Sequence, residues 1–209
     1  MTPTLVYGFD PLCGWCYAFG PTLRALRETF ADRVAIEIAC GGLVVGDRVG
    51  PMREMRDYLR EAYPRAEARS GVRFGRGFTE GLLNDDDVVL ASEPACRAIV
   101  IARELGSREQ TLDLATRLID GLYDHGLDPT RPEVLERFAR EVGLPGLTAR
   151  WSTEDARART ARHFEESRAI GISMYPTLLV RSKDETRLVL RGYASVADAL
   201  ERVEAALTT

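Results

Sequence analysis

Leu5-Val6-Tyr7-Gly8-Phe9-Asp10-Pro11-Leu12-Cys13-Gly14-Trp15-Cys16-Tyr17 decides how the chain is read. The first five residues are a near-continuous apolar run of strand length, suited to a central strand buried on both faces. Two cysteines three apart then open a helical pattern. Thiols one turn apart at a helix N-terminus can close a reversible disulfide. The outer one, Cys13, feels the positive helix end and free backbone N–H groups, and both favour its nucleophilic thiolate. The same spacing also fits half of a zinc site, which needs two further ligands at recognisable spacing. Cys40, Cys96, His125 and His163 are scattered and form no second pair, so redox chemistry is the favoured reading.

Working outward, Phe19, Leu23, Leu26 and Phe30 recur at spacings of three and four and make one helical stripe, with Pro21 expected to kink it. Val34, Ile36, Ile38 and Cys40 alternate, which predicts a second strand and a βαβ unit with a right-handed crossover. From Gly46 to Glu166 the pattern is helical alone. Met52, Met55, Leu59 and Tyr63 form a stripe that Pro64 ends or kinks. Ser92 is placed to cap a helix with Pro94 in its first turn. Leu112, Ala115, Leu118, Ile119 and Leu122 form another stripe. Thr130-Arg131-Pro132-Glu133 reads as a capping box, and Ser152 or Thr153 starts the next helix. Ser70–Asp87 holds four glycines and reads as a loop. Strands return at Pro176–Val180 and Arg187–Arg191, a hairpin across Lys183-Asp184-Glu185. Ser195-Val196-Ala197-Asp198 opens a closing helix whose apolar face holds Val196, Ala199, Leu200, Val203 and Leu207. The predicted class is α/β, in the order β-α-β, helices, β-β-α. The expected division is 1–45 with 167–209 for the sheet and 46–166 for an all-helical insertion.

The 209 residues are 45% hydrophobic with a net charge of −4, enough for a real core and without a basic face for nucleic acid. No stretch approaches the roughly 20 apolar residues of a membrane span. The N-terminus lacks the basic and apolar regions of a secretion signal, so the expected location is cytoplasmic. Four cysteines in that compartment point to catalytic or core roles more than to structural disulfides.

Asp10-Pro11-Leu12-Cys13-Gly14-Trp15-Cys16-Tyr17 at one end and Gly171-Ile172-Ser173-Met174-Tyr175-Pro176-Thr177 at the other resemble the DsbA family, and within it the FrnE-like protein-disulfide isomerases. Gly126-Leu127-Asp128-Pro129, Val134-Leu135 and Val142-Gly143-Leu144 resemble that family's late helical hairpin, and Pro21 matches its kinking proline. The resemblance spans essentially the whole chain. It implies a thioredoxin-like fold with an inserted helical domain. It also implies a cis-proline at Pro176, which would aim the backbone of Tyr175 at a substrate beside the sulfurs. On this basis Cys13 is the nucleophile and Cys16 the resolving thiol. Gly14, Trp15, Tyr175, Pro176 and Thr177 line the substrate. No metal and no bound cofactor are implied, with glutathione as a candidate co-substrate. The implied partners are disulfide- or dithiol-containing proteins or peptides, and glutathione or a thioredoxin-type protein for recycling. The Gly14-Trp15 dipeptide departs from Gly-Pro of thioredoxin and Pro-His of DsbA, so the direction of electron flow stays open.

Other readings stand beside these. Trp15 either shields the disulfide and stacks on substrate or packs the first turn. Asp10 either raises the Cys13 pKa as a like charge or accepts N–H bonds from the turn, the second being favoured. Cys40 and Cys96 read as core filler, and Tyr17, His125 and His163 as structural. Met52 and Met55 read as core, with a peptide groove as the alternative. Two other functions fit the layout. One is a glutathione-dependent enzyme of the kappa-class transferase or 2-hydroxychromene-2-carboxylate isomerase type, which generally carries serine at the Cys13 position. The other is a non-enzymatic peptide-binding module.

Overall fold

The computed structural model describes residues 2–183 and 185–208. Strand β1 (Thr4–Phe9) leads through helices α1 (Gly14–Ala18) and α2 (Gly20–Thr29) to β2 (Ala35–Cys40). A short strand β3 (Gly50–Pro51) precedes α3 (Met52–Ser70), and β4 (Val89–Leu90) precedes α4 (Ser92–Leu105). Then come α5 (Arg108–Tyr123), α6 (Pro132–Glu141), α7 (Leu147–Trp151) and α8 (Glu154–Ala169). The chain closes with β5 (Thr177–Arg181), β6 (Thr186–Arg191) and α9 (Val196–Thr208). The main sheet has the order β2-β1-β5-β6. β1 runs parallel to β2 and antiparallel to β5, and β6 is antiparallel to β5. This is a thioredoxin-like α/β fold carrying inserted helices.

The period-two geometry of β1 explains why its whole run is apolar. Leu5, Tyr7 and Phe9 enter the main core, while Val6 enters a smaller one with Ala39, Ile172 and Leu179 on the other face. The main core is continuous from the sheet into α4, α5 and α6.

Several local expectations change. Pro21 does not kink one helix: the chain breaks at Phe19, and Pro21 sits in the first turn of α2, where its missing N–H costs nothing. Pro64 does not end α3, which continues to Ser70. The region after Gly46 is not purely helical, since β3 and β4 pair with each other. Thr130 caps nothing. α6 begins after Arg131 without a side-chain cap, and Thr130 bonds instead to Asp128. Thr153 does cap α8. The expected hairpin turn includes Asp184, which lies outside the described residues.

Ser70–Asp87 is not a plain loop. It contains a π-helical turn at Gly77–Gly81 and a 3-10 turn at Leu82–Asn84, and it buries Phe74, Phe78, Leu82 and Leu83. Its glycines permit close backbone packing. A Cβ on Gly77 would stand 2.3 Å from the His125 carbonyl oxygen.

Candidate functional site: a buried dithiol beside a cis-proline

Cys13 is where the extended approach becomes helix. Its φ of −89° and ψ of 105° are non-helical, and it caps α1, with Sγ accepting the Cys16 N–H at 3.3 Å. α1 is only five residues long, so its macrodipole is weak and this direct N–H carries the support for a thiolate. The Cys13 thiol donates to the Tyr175 carbonyl at 3.6 Å. The Tyr175–Pro176 peptide is cis. Thr177 Oγ1 donates to the Met174 carbonyl at 2.6 Å, and Gly192 N–H donates to the Pro176 carbonyl at 2.7 Å, which pins this segment against the sulfurs. The residues from both ends of the chain thus meet. Both thiols are buried, but Cys13 opens into a cavity that Cys16 does not line. Burial pushes the Cys16 thiol well above its ordinary range. The two cysteines are therefore unequal, the outer one open to the cavity and the inner one held protonated by burial.

Asp10 does more than accept bonds from the turn. It is fully buried; Oδ1 accepts from Leu12 N–H (3.0 Å) and Ser92 Oγ (2.8 Å). Its Oδ2 accepts from Leu43 N–H (2.7 Å) and the Cys96 thiol (3.8 Å). Burial raises its pKa, and these four bonds pull it back down. Ser92 is consequently not the cap of α4. It spends its hydroxyl on Asp10 and accepts from Val44 N–H at 2.9 Å.

An aromatic wall closes the other side. Tyr123 donates to the Leu12 carbonyl at 2.5 Å, and Tyr17 to the Arg73 carbonyl at 3.0 Å. Phe74 packs edge-on to Tyr17 and Tyr123, with centroids at 4.9 and 5.1 Å. Trp15 is 36% exposed and tilts against Tyr193 at 5.8 Å. A Cβ on Gly14 would be in van der Waals range of Phe74, at 3.5 Å.

The cavity beside Cys13 has a volume of about 810 Å³. Trp15, Val49, Met55, Tyr58 and Met174 border it, all exposed large apolar residues, with Arg48 and Arg168 as its cations. Met52 is fully buried but Met55 is 40% exposed, so the stripe read as core divides between core and cavity rim.

Cys40 and Cys96 are fully buried, as expected of core residues. Burial raises the Cys40 pKa, but hydrogen bonding with Cys96 and His163 outweighs it and holds Cys40 at about 6. His163, which has no visible partner in the sequence, accepts the Cys40 N–H at 3.0 Å and lies 2.9 Å from Arg103. His125 is exposed beyond the end of α5. Among the described residues, no three His, Cys, Asp or Glu side chains converge as metal ligands, and no helix is long and apolar enough to cross a membrane. Sequence reading missed Leu43, Ser92, Phe74 and Tyr123 as parts of the site. The only available signal was their apolar or small polar character, which many other core positions share.

No protein-family model and no curated protein sequence matches the chain. Solved structures do. A candidate protein disulfide isomerase from Nitrosomonas europaea superposes with a TM-score of 0.85 at 23% identity, covering 100% of this chain and 98% of that one. The cytosolic disulfide reductase DsbM from Pseudomonas aeruginosa gives 0.81 at 26%, covering 98% of each, and DsbM has also been solved with GSH. A 2-hydroxychromene-2-carboxylate isomerase gives 0.63 at 16%, covering 98% of this chain and 94% of that one. Sheet order, inserted helices and these neighbours show a thioredoxin-like fold with inserted helices, similar to that of DsbA-like oxidoreductases.

Proposed function

We propose that the chain is a thiol–disulfide oxidoreductase or isomerase in which Cys13 is the nucleophile and Cys16 the resolving thiol. The observation that carries this is the position of Cys13 Sγ, which accepts the Cys16 N–H, touches the Tyr175 carbonyl and faces the cavity. Attack of the Cys13 thiolate on a substrate disulfide forms a mixed disulfide and expels one substrate thiolate. Cys16 then attacks Cys13 Sγ, closing the Cys13–Cys16 disulfide and releasing the second substrate thiol. Two electrons from glutathione or a thioredoxin-type protein restore the dithiol. DsbM, a cytosolic disulfide reductase solved with GSH, supports net reduction or isomerisation in the cytoplasm as the direction here. Gly14, Trp15, Tyr175, Pro176 and Thr177 are proposed to meet the substrate, the backbone of Tyr175 pairing with it as an added strand. The division into 1–45 with 167–209 and an inserted 46–166 belongs to the same proposal.

The glutathione-dependent isomerase alternative shares the fold, but a second buried cysteine, whose backbone N–H bonds the sulfur of the first, favours redox chemistry. Trapping decides. Cys16→Ser should accumulate a mixed disulfide with substrate proteins or glutathione, and Cys13→Ser should abolish disulfide turnover. If Cys16→Ser never captures a thiol through Cys13, the redox reading fails. Retention of peptide holding by Cys13→Ser without any wild-type turnover would favour the binding module instead.

A further inference from the structure

Tyr7 lies beneath the dithiol on β1, buried, with its ring against Phe9 and Phe19 at centroid distances of 5.5 and 5.8 Å. Its hydroxyl is buried and has no hydrogen-bond partner among the described residues. An orphan buried hydroxyl is costly, and phenylalanine would fill the same space without it. Tyr7 shares one buried cluster with the Cys16 thiol, near enough for each to act on the other's ionisation.

Cys16 needs a partner at one moment only. To resolve a mixed disulfide it must become a thiolate in a site that disfavours charge. Cys13 has the Cys16 N–H and the cavity mouth, whereas Cys16 does not line the cavity and has only the Asp10 backbone and the Tyr7 hydroxyl to favour its charged form. We propose that the Tyr7 hydroxyl is the hydrogen-bond donor that stabilises the Cys16 thiolate during resolution. This rests on the reading of Cys13 as nucleophile and Cys16 as resolving thiol. In the step, the Cys16 proton passes to the departing substrate sulfur. The Cys16–Cys13 bond forms and the Cys13–substrate bond breaks, with its electron pair leaving on the substrate. Tyr7 keeps its proton throughout, since burial holds it well above the usual phenol range. Other groups also bear on Cys16, namely Cys13 across the turn, the Asp10 backbone, Tyr123 and Tyr175. Tyr7→Phe removes the one hydroxyl and leaves all of these in place.

The test uses the reduced full chain and 5,5′-dithiobis(2-nitrobenzoate) in stopped flow. The first thionitrobenzoate released reports attack by Cys13, and the second reports resolution by Cys16. Tyr7→Phe should leave the first release unchanged. It should slow the second about tenfold at pH 7 and move its pH midpoint up by about one unit. An unchanged second release with an unchanged pH profile would overturn the proposal. Loss of the fast first release in the variant would also overturn it, because a spare hydroxyl is dispensable for folding. If wild type itself gives no first release, the redox reading falls, a result distinct from a Tyr7 failure.

Discussion

A carboxyl with no solvent contact, as at Asp10, keeps its proton to higher pH in the folded chain than in the unfolded one. Because the folded pKa is the raised one, the folded state binds more protons between about 3.9 and that value. Stability linked to Asp10 is therefore full at the acid end and is lost as pH rises through the window. Asn cannot titrate. Urea midpoints of wild type and Asp10→Asn, measured in the reduced state from pH 4 to 8, should show the wild-type margin shrinking as pH rises. A constant difference would sink this assignment. Cys40 and Cys96 make a second residue-level case. Both are fully buried, so mild oxidation followed by peptide mapping should link only Cys13 with Cys16. A mapped Cys40–Cys96 bond would contradict the core reading. The dithiol was legible in the sequence because its chemistry is local. Leu43, Ser92 and Tyr123 were not, because their partners at Asp10 and Leu12 lie 33, 82 and 111 residues away.

Elements were legible where one pattern dominated, the unbroken apolar run of β1 or the helical stripes of α5 and α9. They were misread where a special residue has two uses. Pro21 looks like a helix interior from its flanking stripe, but the break at Phe19 makes it a first-turn proline. Ser70–Asp87 looks like a loop from its glycines, yet those glycines let it pack tightly enough to bury four large apolar side chains. Gly41, just after β2, shows how an element end shapes the site. A Cβ there would lie 1.8 Å from the Tyr175 ring. Gly41→Ala should push Tyr175 aside and shift the backbone that faces Cys13. We expect a ten- to hundredfold loss of disulfide turnover. The fold should persist, as read by far-UV circular dichroism. Normal turnover would show that Tyr175 does not position substrate.

Across the molecule, sheet and helices share one core. Tyr7, Phe19 and Leu178 belong to the same buried cluster as Leu118, Leu135 and Phe164. A chain divided in sequence but not in core should unfold in one step. Urea transitions followed by far-UV circular dichroism and by tryptophan fluorescence should coincide. The two probes are well placed, with Trp15 at the dithiol and Trp151 on α7 beneath Arg97 at 4.2 Å. Two separated transitions would refute the shared core. The Tyr123–Leu12 hydrogen bond carries a last consequence, for modularity. The carbonyl just before the nucleophile is held by a side chain from the inserted helices. Trimming the chain to a minimal sheet-and-dithiol unit would strip away part of the very loop that presents Cys13. For anyone transplanting this reactive centre into a smaller scaffold, the portable unit is the motif together with α5.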